Sequence, residues 1–262
     1  MPAAFIIISI HGWLATNDYV MDNKQEIPKI IHQIWSGIDG PLPEIFRRLG
    51  NTWKECHPEW KYEFWDNARM NQFIQDFYPR YWATYRQFSY NVQRWDAIRY
   101  LILDQMGGMY ADFDSECMEP LDELFRGKTC CFSLEPRGHW KIYNRKYFFN
   151  NALMASVPGH PFIRHIIHAV FENYKPVPFA GLKQKGDHVM ESTGPTMLVN
   201  QYEQYADKES VYLIPYEYVS PLTAKEIKHL RAGKYLNRLE KKMEQAYCIH
   251  YFFNTWLTTW DK

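Results

Sequence analysis

An excess of charge of either sign is missing from this 262-residue sequence: 30 Lys and Arg balance 30 Asp and Glu. That balance excludes the bulk attraction that draws basic proteins to nucleic acid, and no nucleic-acid partner is expected. Cysteine is sparse. Cys56, Cys117, Cys130, Cys131 and Cys248 form an odd set without any Cys-x-x-Cys spacing, which argues against a disulfide framework and against a zinc site. Reduced thiols in a cytoplasmic protein are the simplest account. The apolar run near the N-terminus, "AAFIIISI", is far shorter than the ~20 residues a membrane-spanning helix needs. No basic residue precedes it and no small-residue cleavage site follows, so it fits a signal peptide poorly. The polar lead "MDNKQEIPK" reads as a natural start at Met21. On that expectation residues 1–20 are a non-native or disordered leader and residues 21–262 a single domain.

Aromatic residues, by contrast, are abundant: 16 Phe, 19 Tyr and 10 Trp make up 17% of the chain. Most must serve a core, and the surplus suits a ligand site built from flat faces. "KIIHQIW" (Lys29–Trp35) reads as a buried strand, and Pro43 suits the first turn of a helix running to Cys56. "WKYEFWD" alternates as a half-buried strand does. Helical patterns cover Asn67–Phe77 and Asn91–Met106, followed by a strand through "GGMYADFD". Further strands are expected at "TCCFSL", Phe148–Ala155, "VYLIP" and "AYCIHYF". Helices are expected at Pro161–Asn173, Thr193–Tyr205 and the basic region Lys225–Lys242. Strands alternating with helices indicate an α/β fold with a mostly parallel sheet. Ligands of such sheets gather outside the carboxyl ends of the strands. Both Trp35 and the pair Asp112/Asp114 fall at such ends.

That pair carries the chemistry. On an extended chain, residues i and i+2 face the same way, so both carboxylates could reach one hard divalent cation. In the preceding helix, Val92, Trp95, Ile98, Leu101 and Ile102 form an apolar stripe, and Asp96, Arg99 and Tyr100 share a neighbouring face. A surface ion pair between Asp96 and Arg99 would explain that spacing equally well. The Gly107-Gly108 pair, however, leads this helix straight into the acidic segment, and a tight turn would fold Arg99 back towards the carboxylates. A cation, an arginine and several carboxylates together suit a sugar diphosphate.

The string "RWDAIRYLILDQMGGMYADFD" resembles the core signature of the DXD-containing sugar transferases of glycosyltransferase family 32. "IPKIIHQIW", "NNALMASVPGHPF", "ESTGP" and "HYFFNTW" are similar to that family's other segments. Asn254-Thr255 stands where Gly-Ser is commoner. The resemblance implies a GT-A fold, a nucleotide-sugar donor, a divalent cation (Mn²⁺ ahead of Mg²⁺) and retention of anomeric configuration. It further implies that Trp35 stacks on the nucleobase and that Asp96 and Arg99 bind the sugar and phosphates. Tyr110 and Asn151 would line the donor pocket, although an Asn after a strand also serves as a turn residue. Asp112 would touch ribose or hexose, and Asp114 would be the principal metal ligand. His250, a second metal contact, would close over the diphosphate with Trp256. Catalysis would rest on Asp112, Asp114 and Arg99.

The expected reaction moves a hexose from a nucleotide sugar to a glycan or lipid-linked saccharide in polysaccharide assembly, such as that of capsule or lipopolysaccharide. A UDP-hexose is favoured as the donor, with GDP-mannose as the alternative. Seven basic and two acidic residues in Lys225–Lys242 offer either a solvated face or a peripheral contact with the inner face of a membrane. Two other classes compete. A haloacid-dehalogenase-like phosphohydrolase would use the same aspartates, but Glu116 stands where that motif has Thr or Val. A non-catalytic carbohydrate-binding protein would use the aromatics but has no need of Arg99 beside a metal pair.

Overall fold

The computed structural model describes residues 26–177 and 181–255. The expected leader and Trp256 lie outside them. The chain runs through β1 (Ile30–Ile34), α1 (Glu44–Cys56), β2 (Lys61–Trp65), α2 (Asn67–Phe77), α3 (Trp82–Gln87), α4 (Asn91–Met106) and β3 (Gly108–Ala111). It continues through β4 (Ser115–Cys117), α5 (Asp122–Phe125), β5 (Cys130–Leu134), α6 (Arg137–Ile142), β6 (Phe149–Ser156) and α7 (Pro161–Glu172). Then come α8 (Leu182–Ser192), α9 (Pro195–Gln204), β7 (Tyr212–Ile214), α10 (Tyr216–Val219), α11 (Ala224–Arg231), α12 (Leu236–Met243) and β8 (Cys248–His250).

Six strands form the central sheet in the order β2-β1-β3-β6-β5-β7. The pairings β1–β2, β1–β3 and β5–β7 are parallel, and β6 alone runs against its neighbours β3 and β5. This sheet has core on both faces, so its inner strands are buried on both sides while successive side chains alternate between the two cores. Tyr110, Phe132 and Met154 point into a large aromatic cluster with α2, α4, α7 and α9. Met109, Cys131, Leu153 and Ala155 point the other way, towards Trp53 of α1 and Phe125 of α5.

The Gly107-Gly108 turn is sterically compulsory. Both glycines have positive φ, and a Cβ on Gly108 would stand 2.6 Å from the carbonyl oxygen of Ile30. His32 holds the turn from beside it: its Nε2 bonds the carbonyl of Gly107 at 2.9 Å, while Trp65 Nε1 donates to Nδ1 at 3.2 Å. Burial lowers the pKa of His32 to about 4, so the ring is neutral.

One expectation needs correction, and two others gain detail. The strand through the acidic motif stops at Ala111, and residues 113–114 form a turn closed by Ser115 N–H donating to the carbonyl of Asp112 at 3.2 Å. Asp112 and Asp114 therefore meet through a turn, not through strand alternation; the turn is favoured because Phe113 between them is itself buried. The last strand, β8, does not join the central sheet but pairs antiparallel with β4, Ser115 opposite His250. The basic region is two helices, α11 and α12, broken at Gly233, whose φ of +67° no helix interior accommodates.

Candidate functional site

The carboxyl ends of β1, β3 and β5 and the amino end of the antiparallel β6 lie side by side along one edge of the sheet. In the sheet order β1-β3-β6-β5 they present Trp35, Asp112, the pair Asn150/Asn151, and Glu135. All these residues line one cavity of about 640 Å³, within the range of small-molecule sites. With strands about 4.8 Å apart, the row from Trp35 to Glu135 extends roughly 14 Å.

At one end, Trp35 is half-buried and its Nε1 donates to the carbonyl of Gly40 at 2.9 Å. Its ring meets Phe46 edge-on, with centroids 5.6 Å apart. This locks the indole while leaving surface towards the cavity.

In the middle, Arg99 reaches back from α4. Its Nη1 lies 3.2 Å from Oδ1 of Asp112 and donates to the carbonyl of Asn151 at 2.9 Å, and Nη2 lies 3.4 Å from Oδ1 of Asp96. The guanidinium also sits over the Tyr110 ring, 4.5 Å from its centroid. Tyr110 Oη donates to Oδ1 of Asp112 at 2.5 Å. Asp96 is not a surface residue: it accepts from Asn151 Nδ2 and from Thr193 Oγ1, each at 3.0 Å. Burial raises its pKa to about 6, with Arg99 opposing. Asn151 is thus no turn residue. It lies within β6, where its side chain ties Asp96 to the hydroxyl of Tyr100.

Asp114 completes the group. Its Oδ1 lies 3.2 Å from His250 Nε2, and its Oδ2 accepts from the backbone N–H of Phe253 at 2.9 Å. Burial works against charge on Asp114, but His250 and the Phe253 amide outweigh it and hold the carboxyl below its usual range. Asp112 goes the other way: burial and the neighbouring Asp114 push it up in spite of Arg99. His250 is raised, because Asp114 outweighs its burial. Ligand atoms of Asp112, Asp114 and His250 all lie within 4.8 Å of one another. Nδ1 of His250 is buried without a hydrogen-bond partner among the described residues. Two carboxylates and an imidazole are a donor set that fits a divalent cation such as Mn²⁺.

Sequence reasoning missed the other end of the row. Glu135, buried just beyond β5, accepts from Asn150 Nδ2 at 3.1 Å and pairs with His139 Nδ1 at 2.6 Å. His139 Nε2 in turn accepts from the backbone N–H of Ala224 at 3.2 Å. The strand-end rule that singled out Trp35 would have found Glu135 as well. Its partners come from segments distant in sequence and left no local signal. Val92 and Trp95 lie in the core as expected and also line the cavity, because α4 is buried on nearly all sides.

Comparison with known proteins agrees with this geometry. Residues 43–130, which contain Asp96, Arg99 and both aspartates of the motif, match the family described as "Glycosyltransferase sugar-binding region containing DXD motif". Mannosyl phosphorylinositol ceramide synthase SUR1 of Saccharomyces cerevisiae is 32% identical over 183 residues, 69% of this chain and 43% of that protein. Inositol phosphoceramide mannosyltransferase 1 of Schizosaccharomyces pombe is 30% identical over 205 residues, 76% of this chain and 57% of that protein. The chain thus spans about half the length of the curated relatives it matches. Among solved structures, the ligand-free glycosyltransferase domain of the YGT toxin superposes with a TM-score of 0.50 at 9% identity, covering 72% of this chain and 80% of that one, a likeness of fold alone. With its mixed sheet of GT-A type and its aspartate motif at the carboxyl edge, the chain belongs to the DXD-containing glycosyltransferases.

Proposed function

We propose that this glycosyltransferase is a cation-dependent mannosyltransferase that uses a nucleotide sugar, retains anomeric configuration and acts on a lipid-linked acceptor with a phosphoinositol-type headgroup. The observation that carries the reading is the row of side chains along the sheet edge. An indole for the base, a cation-binding group with Arg99 for the diphosphate, and carboxylates and amides for the hexose follow one another in the order of a nucleotide sugar. The names of the yeast relatives, mannosyltransferases of inositol phosphoceramide, favour GDP-mannose over the UDP-hexose expected from the sequence, and a lipid acceptor over capsule or lipopolysaccharide.

In this reading Asp114, Asp112 and His250 hold the cation, which supplies Lewis-acid neutralisation of the leaving diphosphate. Arg99 adds a charge-assisted hydrogen bond from a rigid, buried position. Asp96 and Asn151 orient hexose hydroxyls. The bond from the anomeric carbon to the diphosphate oxygen breaks as the acceptor oxygen bonds to the same face, and the departing phosphate takes the acceptor proton. Trp256 remains a candidate from the resemblance only. A screen of GDP-mannose and UDP-hexoses with Mn²⁺, reading released nucleotide with and without inositol phosphoceramide, tests the reading. Release of GDP stimulated by that acceptor is expected. Turnover of UDP-sugars alone, or of phosphate monoesters, would overturn it.

A further inference from the structure

Around the Glu135 end of the cavity, the surface changes character. Ile142 and Tyr143, at the end of α6, are 74% and 42% exposed and line the cavity. Exposed Lys141 and Lys146 flank them. Where the chain turns from α11 into α12, Tyr235 and Leu236, the first residue of α12, are 65% and 40% exposed. Lys228, Lys234 and Arg238 surround this turn, all of them exposed. α6 meets the first turn of α11, at whose far end the α11–α12 turn lies about 12 Å along the helix: His139 of α6 accepts from the first backbone N–H of α11, and a Cβ on Gly138 would stand 2.9 Å from Thr223. Behind them, Ile227 and Leu239 pack on Ile249 of β8, the strand that carries His250. The basic helices are therefore built into the frame of the site.

An overall neutral chain has thus set cations beside protruding apolar side chains both at the cavity mouth, at Ile142 and Tyr143, and at the end of the helix that α6 contacts, at Tyr235 and Leu236. A solvated face needs charge but no exposed aromatic and aliphatic tips. Tyr235 is moreover held at a φ of +58°, where a bulky residue is uncommon and strained. Apolar tips ringed by Lys and Arg are the composition of surfaces that enter the headgroup layer of an anionic bilayer. We infer that α6 and the α11–α12 turn form a docking surface for an anionic membrane, which holds the acceptor end of the cavity at the lipid headgroups. The inference rests on the proposed lipid-linked acceptor for its biological sense, but the surface can be tested without any transfer reaction.

The full chain is sedimented with vesicles of phosphatidylcholine alone or mixed with phosphatidylserine, without donor or cation. Binding to the mixed vesicles should exceed binding to the neutral ones at least about tenfold and weaken as salt rises. The triple variant Lys141→Glu, Lys228→Glu, Lys234→Glu should lose that preference. Tyr235→Asn with Leu236→Ser should weaken binding about fivefold or more even though all the charges remain; Asn tolerates the left-handed backbone. Thermal melts of both variants should match the parent. Equal binding to both kinds of vesicle, or unchanged binding in the well-folded triple variant, would overturn the inference. So would capture by soluble polyglutamate with no binding to phosphatidylserine vesicles, which would mark an acidic-protein surface. Metal-dependent release of nucleotide from the donor, measured separately, should stay within about twofold in both variants. Its absence in the parent protein, with vesicle binding intact, would count against the proposed reaction and leave the docking surface standing.

Discussion

Nη1 of Arg99 stands 3.2 Å from Oδ1 of Asp112, although the end of α4, the Gly107-Gly108 turn and all of β3 lie between them in sequence. The same nitrogen donates to the carbonyl of Asn151, so one guanidinium binds helix, motif and β6 together. Arg99→Lys removes the planar fork and leaves a point charge that cannot serve all three. Turnover should fall about a hundredfold, the scale of losing one buried charge-stabilising donor. Steady-state kinetics beside a thermal melt checks this. A destabilised variant with full specific activity would show that Arg99 serves the fold alone.

Asp114→Asn should abolish the Mn²⁺ dependence of nucleotide binding while keeping the fold. The amide oxygen can still accept from Phe253 N–H, and the β4–β8 pairing does not use the side chain. The missing negative charge is what a cation needs. Calorimetric titration of nucleotide with and without Mn²⁺ reads this directly, and EDTA should reduce the parent to the variant's behaviour. Retention of more than about a tenth of parental turnover, a loss of under ~1.4 kcal/mol, would refute the metal assignment.

Glu135→Gln presents a hydrogen-bond conflict. Asn150 is fixed as a donor because its Oδ1 already accepts from Ala152 N–H, and His139 donates from Nδ1 because its Nε2 accepts from Ala224. A carboxylate satisfies two donors; an amide must turn its own NH₂ towards one of them. The expected loss is about 1–3 kcal/mol, measured by urea denaturation. An unchanged midpoint would mean that solvent reaches the pair and that Glu135 is not locked.

His32 should make stability depend on pH. Its folded pKa, lowered by burial to about 4, lies below the ordinary 6.5 of the unfolded chain. Between those values the unfolded state takes up the proton and the folded state does not. This contribution is therefore fully present above about pH 6.5 and is lost as pH falls towards 4, by about 3 kcal/mol at most. His32→Gln should flatten that part of the profile, since an amide can bond Gly107 and Trp65 without titrating. Parallel slopes for parent and variant in denaturation across this range would disprove the assignment.

The sequence by itself determined the six strands of the central sheet, the helices α1, α2, α4, α7 and α9, and the motif, while α3, α5, α6, α8, α10 and β4 left no reading. Alternation marked β2 and helical spacing marked α2 because each buries one face, whereas β1 and α4 were legible as largely apolar segments buried on nearly all sides. The positions of Trp35 and Asp112 followed from the rule that ligands lie beyond strand ends, and that of Arg99 from its helical spacing ahead of the Gly107-Gly108 turn. Only the tertiary structure decided the rest. The reversal of β6 brings Asn150 and Asn151 to the carboxyl edge, and no local pattern distinguishes an antiparallel from a parallel buried strand. The meeting of Asp114 with His250 depends on β8 leaving the central sheet to pair with β4. Glu135 acquires its setting from Asn150, His139 and Ala224, which long-range packing alone brings together. Backbone preference acts between neighbours in sequence, whereas a site is made by contacts between elements, and those are chosen by the packing of the whole core.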